Sequence, residues 1–177
     1  MNLLGLLVAI FLWWNDSAAK VTEPYLVVLN SLPKTALAPV FIVWLGSNMK
    51  TIIVAAISVA VFGTIITLYT DFREVEPDKI KLIQTLGGTK KDILLRVVLP
   101  GNFGSLISIM KVNIGLSLVG VIIGEFLAAK AGLGYLIIYG SQVFKLDWVI
   151  MSIVILCILA TILYKLLSVV EAKYCSK

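Results

Sequence analysis

Long uncharged apolar runs alternate along the chain with short segments that hold most of the charged residues. Residues 51–69 and 148–164 contain no charged side chain, and each run approaches the roughly 20 residues that a helix needs to cross a bilayer. Residues 105–129 form a third long apolar run that includes a few polar side chains. This pattern predicts three membrane-spanning helices.

Two earlier apolar segments are less regular. Residues 3–14 are too few to span a bilayer, and they lack the flanks of a signal peptide, so we interpret them as the second half of a spanning helix whose first half is missing. Residues 25–45 are interrupted by Pro33 and Pro39, which predicts a broken or kinked span. The predicted fold class is therefore all-α, a polytopic transmembrane helix bundle of about five membrane segments, the first one partial.

The composition supports a membrane protein and argues against an enzyme. Apolar residues make up 60%, charged residues 14%, and the mean hydropathy is +1.03, whereas soluble domains have about 45–50% apolar and about 25% charged residues. The chain has no histidine, and its two cysteines form no metal-binding pair. A membrane enzyme would need a cluster of catalytic side chains near an interface, and the sequence shows none. We expect no cofactor.

The distribution of basic residues predicts the orientation. Residues 71–100 hold a disproportionate share of the 15 Lys and Arg residues, and short basic loops stay in the cytoplasm. Counting spans from there places residues 16–20 and the C-terminus inside, and residues 46–50 and 130–145 outside. The net charge of +5 then reflects a multi-pass protein of the cell membrane and not a nucleic-acid partner.

The cytoplasmic segment 71–100 has the pattern of two short helices around a Gly-Gly turn. Pro77 suits the first turn of a helix, and Thr89 with Asp92 forms a capping-box pair. Pro100 is expected to stop the second helix. Residues at helical spacing share one apolar face: Ile80, Ile83, Ile93 and Val97.

Residues 85–100, TLGGTKKDILLRVVLP, resemble the loop by which permeases of binding-protein-dependent ABC importers contact their ATPase. In that family a Gly is followed after nine residues by Ile-x-Leu-Pro, and here Gly87 is followed by Val97-x-Leu99-Pro100. Residues 31–46 and 119–137 are similar to two further stretches of the branch for taurine, aliphatic sulfonates and nitrate. Two departures are visible. The family's Glu-Ala-Ala triplet is Lys81-Leu82-Ile83, and the family's first spanning helix has no counterpart.

The resemblance implies a transport subunit that forms one permease domain over residues 1–177, N-terminally incomplete, with a coupling loop at 71–100. Two permease copies, most simply a homodimer, would line a path through membrane lipid. A separate ABC ATPase would hydrolyse ATP, and an extracytoplasmic solute-binding protein would deliver the solute. On charge alone, a solvated basic loop is the better explanation. The Gly and Leu-Pro spacing favours coupling, in which the resemblance implies Ile80, Ile83, Ile93 and Val97 as the docking side chains. The residues implied in coupling are Ile80, Ile83, Gly87, Gly88, Ile93, Val97, Leu99 and Pro100.

Three polar residues of the run 105–129 are candidates for the transport path. Asn113 and Ser117 lie four apart on one helical face that lines the path or bonds another helix. Glu125 lies near the outer end and either belongs to an outer gate or is solvated at the interface. In the same run, Gly120-x-x-x-Gly124 fits close helix packing.

The resemblance suggests an aliphatic sulfonate or similar small organic anion as the solute. Two alternatives remain open. One is a permease for a heterocyclic nutrient such as a thiamine precursor. The other is a non-functional truncated remnant, in which the missing helix would expose polar groups of the bundle to lipid.

Overall fold

A computed structural model describes residues 1–175, and their side chains through residue 169; within this range it contains helices and no strand. The all-α prediction is confirmed. In chain order the elements are α1 (Asn2–Trp14), α2 (Asp16–Ser31), α3 (Lys34–Leu45), α4 (Met49–Arg73), α5 (Pro77–Thr85), α6 (Lys90–Ile93), a π-helical turn (Leu94–Val98), α7 (Leu99–Gly101), α8 (Phe103–Ala128), α9 (Leu133–Gln142) and α10 (Leu146–Cys175).

Three helices of the described chain are long and apolar enough to cross a membrane. They are α4, α8 and, through Val169, α10, with mean hydropathies of 2.4, 2.1 and 2.6. The pair α2 and α3 passes the same test together, although the two helices meet at an angle of 95°. The short apolar helix α1 completes a multi-pass bundle, which agrees with the predicted segments.

The break in the second segment occurs at one of its two predicted prolines. Leu32 is extended, as expected for a residue that precedes proline, and Pro33 stands at the N-cap of α3. Pro39 lies inside α3 without ending it. The bent pair contacts α4 where Lys34 lies over the ring of Phe62, and α3 leads into the start of α4.

The predicted loop at residues 16–20 is wrong, because these residues form the first turns of α2. Asn15 separates α1 from α2 with an extended backbone. Its side-chain oxygen accepts a hydrogen bond from the backbone N–H of Ala18 at 3.2 Å. An N-cap of this kind starts a new helix at once, so α1 and α2 are joined without a loop.

The centre of the bundle is the contact between α4 and α8. A Cβ atom on Gly120 would lie 2.5 Å from Cα of Ala56, and one on Gly124 would lie 2.8 Å from Cα of Ile52. The two backbones therefore touch where the glycines lie. The Gly-x-x-x-Gly motif of α8 thus packs against α4 of the same chain.

The densest core lies at the end of the bundle that carries the segment between α4 and α8. Its largest fully buried apolar side chains come from α1, α4 and the π-helical turn. These are Leu12, Leu68, Phe72 and Val98. The segment 71–100 is consequently part of the hydrophobic core and not a detached loop.

The predicted stop at Pro100 is also wrong. The chain continues through the π-helical turn and α7, and the break before α8 comes at Asn102. Proline has no N–H to offer the carbonyl four residues earlier. In the π-helical turn, the N–H of Leu99 bonds to the carbonyl of Leu94, five residues back. This wider turn accommodates the proline without ending the helical path.

The glycine contact between α4 and α8 yields a stability prediction. We expect Gly120→Ala to destabilise the bundle by about 1–3 kcal/mol, because the added methyl group forces two helix backbones apart. The measurement is reversible unfolding in mixed detergent micelles.

The matched control is Gly115→Ala on the same helix, where the new methyl group meets no atom of the described residues within 4 Å. It should be neutral or stabilising, because alanine favours a helix by up to about 1 kcal/mol over glycine. Equal losses for the two variants would contradict the contact.

Candidate functional site

The Gly-Gly turn of the segment 71–100 is a helix-ending motif with two hydrogen bonds. The N–H of Gly88 bonds to the carbonyl of Ile83 at 2.9 Å, and that of Gly87 to the carbonyl of Gln84 at 3.0 Å. This is the Schellman pattern, in which the first glycine takes a positive φ, here 78°. A glycine is required at position 88, because a Cβ atom there would lie only 2.8 Å from the carbonyl oxygen of Ile83.

The second helix of the segment begins with the predicted capping box. The N–H of Thr89 bonds to Oδ2 of Asp92 at 2.9 Å, and the N–H of Asp92 bonds to Oγ1 of Thr89 at 3.4 Å. Hydrogen bonds from Thr89 hold the pKa of the Asp92 carboxyl below its ordinary value, with Arg96 and Lys91 adding to the shift. The segment is therefore a rigid unit of two capped helices.

The predicted docking face points into the protein, which corrects our expectation of it. Ile93 is 5% exposed, and Ile80, Ile83 and Leu99 pack against the core. Val97 is half-buried. These side chains attach the segment to the bundle, so they are not free to enter a partner.

The opposite face of the segment presents other apolar side chains to the outside. The exposed fractions are 59% for Leu82, 76% for Leu86 and 53% for Leu95. Gly87 lies beside Leu86 in the chain. Exposed leucines next to a rigid turn are suited to bind an apolar cleft.

Two contacts fix the segment to the membrane helices at its ends. Lys90 donates from Nζ to the carbonyl oxygen of Trp14 at 2.6 Å and lies over the ring of Trp13 at 5.5 Å. A cation is favourable at the C-terminal end of a helix, here α1. Ser105 of α8 donates a hydrogen bond to the carboxylate of Asp71 of α4, which joins these two helices where the segment begins and ends. The segment is thus attached to α1 through Lys90, and to α4 and α8 through the chain itself.

Asn113 joins three helices inside the membrane region. Its side chain is 2% exposed. Its Nδ2 donates to Oδ1 of Asn2 in α1 at 2.5 Å and to Oγ1 of Thr64 in α4 at 2.9 Å. Of the two predicted roles, this is the bond to another helix. The sequence analysis missed Asn2 and Thr64, because neither disturbs the apolar pattern around it.

Ser117 stands one turn further along α8 and borders empty space. Its hydroxyl donates to the carbonyl of Asn113 at 2.6 Å. It lines a cavity of about 550 Å³ together with Glu125, Ser47 and Asn48. Ser117 and Glu125 thus share one cavity, and Ser117 and Asn113 line a second one of about 220 Å³.

Glu125 is held by the backbone of the following turn. Its Oε2 accepts the N–H of Gly134 at 2.7 Å, and the residue is half-buried. The sequence predicted either an outer gate or simple solvation for Glu125. Neither prediction included a hydrogen bond to Gly134. Nearer the other end of α8, Lys111 lies over the ring of Tyr164 of α10 at 5.5 Å.

The family follows from a match over nearly the whole chain. Residues 1–174 match the family described as the inner membrane component of binding-protein-dependent transport systems. The chain belongs to this family. Its members are transport components and not enzymes, which agrees with the expectation from the sequence.

Similar permeases are known from several bacteria. The formylaminopyrimidine transport permease protein ThiX of Halalkalibacterium halodurans is 27% identical over 132 residues, 75% of this chain and 53% of that protein. The taurine transport system permease protein TauC of Escherichia coli is 23% identical over 162 residues, 91% of this chain and 58% of that protein. The riboflavin transport system permease protein RibX of Chloroflexus aurantiacus is 24% identical over 158 residues, 89% of this chain and 58% of that protein. The chain therefore spans just over half the length of these relatives.

Lys81 occupies the position of the Glu in the family's Glu-Ala-Ala triplet, and its side chain lies at the surface of the protein. Its Nζ lies 3.8 Å from Oδ1 of Asp78, and the two side chains are 72% and 95% exposed. An exposed pair of this kind adds little stability. The charge reversal thus changes the surface of α5 and not its attachment to the bundle.

The Asn113 contacts predict a loss of stability on truncation. We expect Asn113→Ala to cost about 0.6–1.7 kcal/mol, the range for hydrogen bonds between membrane helices. Unfolding in mixed micelles measures the change. The control is Ser117→Ala, which removes a hydrogen bond within α8 and a weak contact to Sδ of Met1 at 3.9 Å, and should cost less. A larger loss for Ser117→Ala would contradict the role of Asn113 as a link between helices.

The capping box predicts a pH-dependent helix start. Folding lowers the pKa of Asp92, so the ionised carboxylate stabilises the folded state. This stabilisation is fully present above the unfolded-state pKa of about 3.9 and is lost as the pH falls through the folded-state pKa. Thr89→Val should move the Asp92 pKa towards its ordinary value, as measured by NMR titration of the carboxyl carbon. Thr85→Val is the control, because that hydroxyl bonds the Leu82 carbonyl of its own helix. An unchanged Asp92 pKa in Thr89→Val would refute the assignment.

Proposed function

We propose that this chain is the permease subunit of an ATP-driven importer of a small organic nutrient. Family membership supports the class of protein. The observation that carries the proposal is the rigid segment between α4 and α8, which is fixed to three membrane helices and displays leucines outward. Such a unit can transmit the movement of a partner to the bundle.

The partner that we propose for this segment is an ABC ATPase, which would supply ATP hydrolysis. Leu82, Leu86 and Leu95 enter a cleft of the ATPase, and Gly87 allows close approach because it has no side chain. The residues first expected to dock, including Ile93 and Leu99, instead keep the segment fixed to the core. Closure of the ATPase then tilts α4 and α8 and alternates access to the path.

The remaining partners are also proposals. The segment 71–100 lies in the cytoplasm, with the C-terminus on the same side, and α9 lies outside, where a solute-binding protein docks. Residues 1–177 belong to one permease domain. The helix α10 is largely exposed, so lipid and a second copy of the chain are the partners that we expect for its apolar surface.

For the solute, we propose a small sulfonate or related organic anion first and a heterocyclic nutrient second. The taurine permease supports the first, and the formylaminopyrimidine permease, with the higher identity, supports the second. The solute-binding protein makes the selection in either case. Titrating the purified binding protein with taurine and with a formylaminopyrimidine distinguishes the two.

Copurification with the ATPase encoded beside the gene tests the main proposal. We expect the tagged chain to retain this ATPase and Leu86→Glu to reduce its recovery at least about tenfold, because a charge enters an apolar contact at a cost of more than 1.4 kcal/mol. Leu86 is suited to this test because 76% of its side chain is exposed.

The matched control is Leu146→Glu, which changes an exposed leucine at the opposite end of the bundle and should leave recovery unchanged. If a membrane-inserted wild-type chain fails to bind the ATPase, the coupling role is wrong and the chain is a remnant. Equal losses in the two variants would instead show that the leucine face of the segment is not the docking surface.

A further inference from the structure

The outer end of α8 is tied to the start of α9 by a carboxylate. Oε2 of Glu125 accepts the N–H of Gly134, the second residue of α9, at 2.7 Å. The first N–H groups of a helix have no partner within it, and a negative charge is favourable there. Away from bulk water, a hydrogen bond to a charged group is also stronger than one between neutral groups.

Two glycines make room for this carboxylate. Gly132 has a φ of 123°, and its Cβ would lie 2.5 Å from Oε2 and 2.6 Å from Oε1 of Glu125. A Cβ on Gly134 would lie 2.9 Å from Oε2 and 3.1 Å from Cα of Ile122. Both carboxylate oxygens are therefore held against the backbone of the turn. The arrangement depends on all three residues.

Further contacts extend from this anchor. Ser47, between α3 and α4, donates from Oγ to the carbonyl of Ala128 at 2.7 Å, so the same end of α8 is tied to α4 as well. On the far side of α9, the ring of Tyr139 stacks on Trp148 of α10 with centroids 6.0 Å apart. Glu125 thus stands where α8 meets the unit formed by α9 and α10.

We propose that Glu125 is a positioning residue that makes α9 move with the outer end of α8. This inference rests on the proposed function, in which the ATPase moves the segment that leads through α7 into α8. A displacement of the end of α8 that follows α7 is then carried along this continuous helix to Glu125, and through the Glu125 carboxylate to α9. The outer surface that α9 presents to the solute-binding protein changes together with the ATPase.

The first test measures the anchor without relying on transport. Hydrogen exchange by mass spectrometry follows the peptide 131–138 of the full chain in detergent. We expect Glu125→Ala to speed its exchange about tenfold or more, since a hydrogen bond to a charged group contributes about 1.5–3 kcal/mol. Exchange in residues 77–93 should not change. Glu125→Gln keeps an acceptor oxygen and should restore most of the protection.

Two results of this exchange test would overturn the anchor. One is unchanged exchange of the peptide in Glu125→Ala. The other is equal acceleration in the Gln and Ala variants, because the hydrogen bond would then not be the cause. A control, Ser141→Ala, removes an exposed hydroxyl that bonds only within α9 and should leave exchange near that of the wild type.

The second test uses the permease assembled with its ATPase and binding protein. Glu125→Ala should keep ATPase recovery and basal hydrolysis, and should lose most of the stimulation by the binding protein, which Glu125→Gln restores. Full stimulation in Glu125→Ala would overturn the transmission. Loss of basal hydrolysis would also overturn it, because the effect would then be a general structural one. Failure of the wild-type chain to assemble would overturn the proposed function, and the exchange test would still decide whether the anchor exists.

Discussion

The close approach of α4 and α8 at Gly120 and Gly124 is the contact on which the rest of the bundle depends. Lipid tails are as apolar as leucine side chains, so burial alone does not hold membrane helices together. Backbones that touch gain dispersion contacts, and they also bring side-chain polar groups within reach of each other. The pairing of Asn113 with Thr64 follows from that approach.

The segment 71–100 connects these same two helices, and its apolar residues are divided between two tasks. The isoleucines and Leu99 join the hydrophobic core, while Leu82, Leu86 and Leu95 face away from it. Capping at Gly87 and Thr89 gives the two short helices defined ends, and Lys90 holds the second one to α1. A segment built in this way is attached to the bundle by one face and leaves the other exposed, as the proposed coupling to an ATPase requires.

Three polar side chains of α8 each have a hydrogen-bond partner inside the protein. Asn113 has partners on two other helices, Ser117 bonds a carbonyl of its own helix, and Glu125 bonds the backbone of the next turn. Since unpaired polar groups are costly in an apolar medium, these bonds stabilise particular helix positions. Asn113 fixes the middle of α8, and Glu125 fixes its outer end to α9.

Properties that depend on neighbours along the chain could be predicted from the sequence alone. The three long spans follow from long apolar runs, and the capping box follows from Thr89 and Asp92 three residues apart. Only the tertiary structure decided which face of the segment meets the bundle, how Pro100 is accommodated, and where Asn113 and Glu125 find partners. Periodicity shows which side chains share a face. It does not show where that face points, because this depends on contacts between residues far apart in the chain.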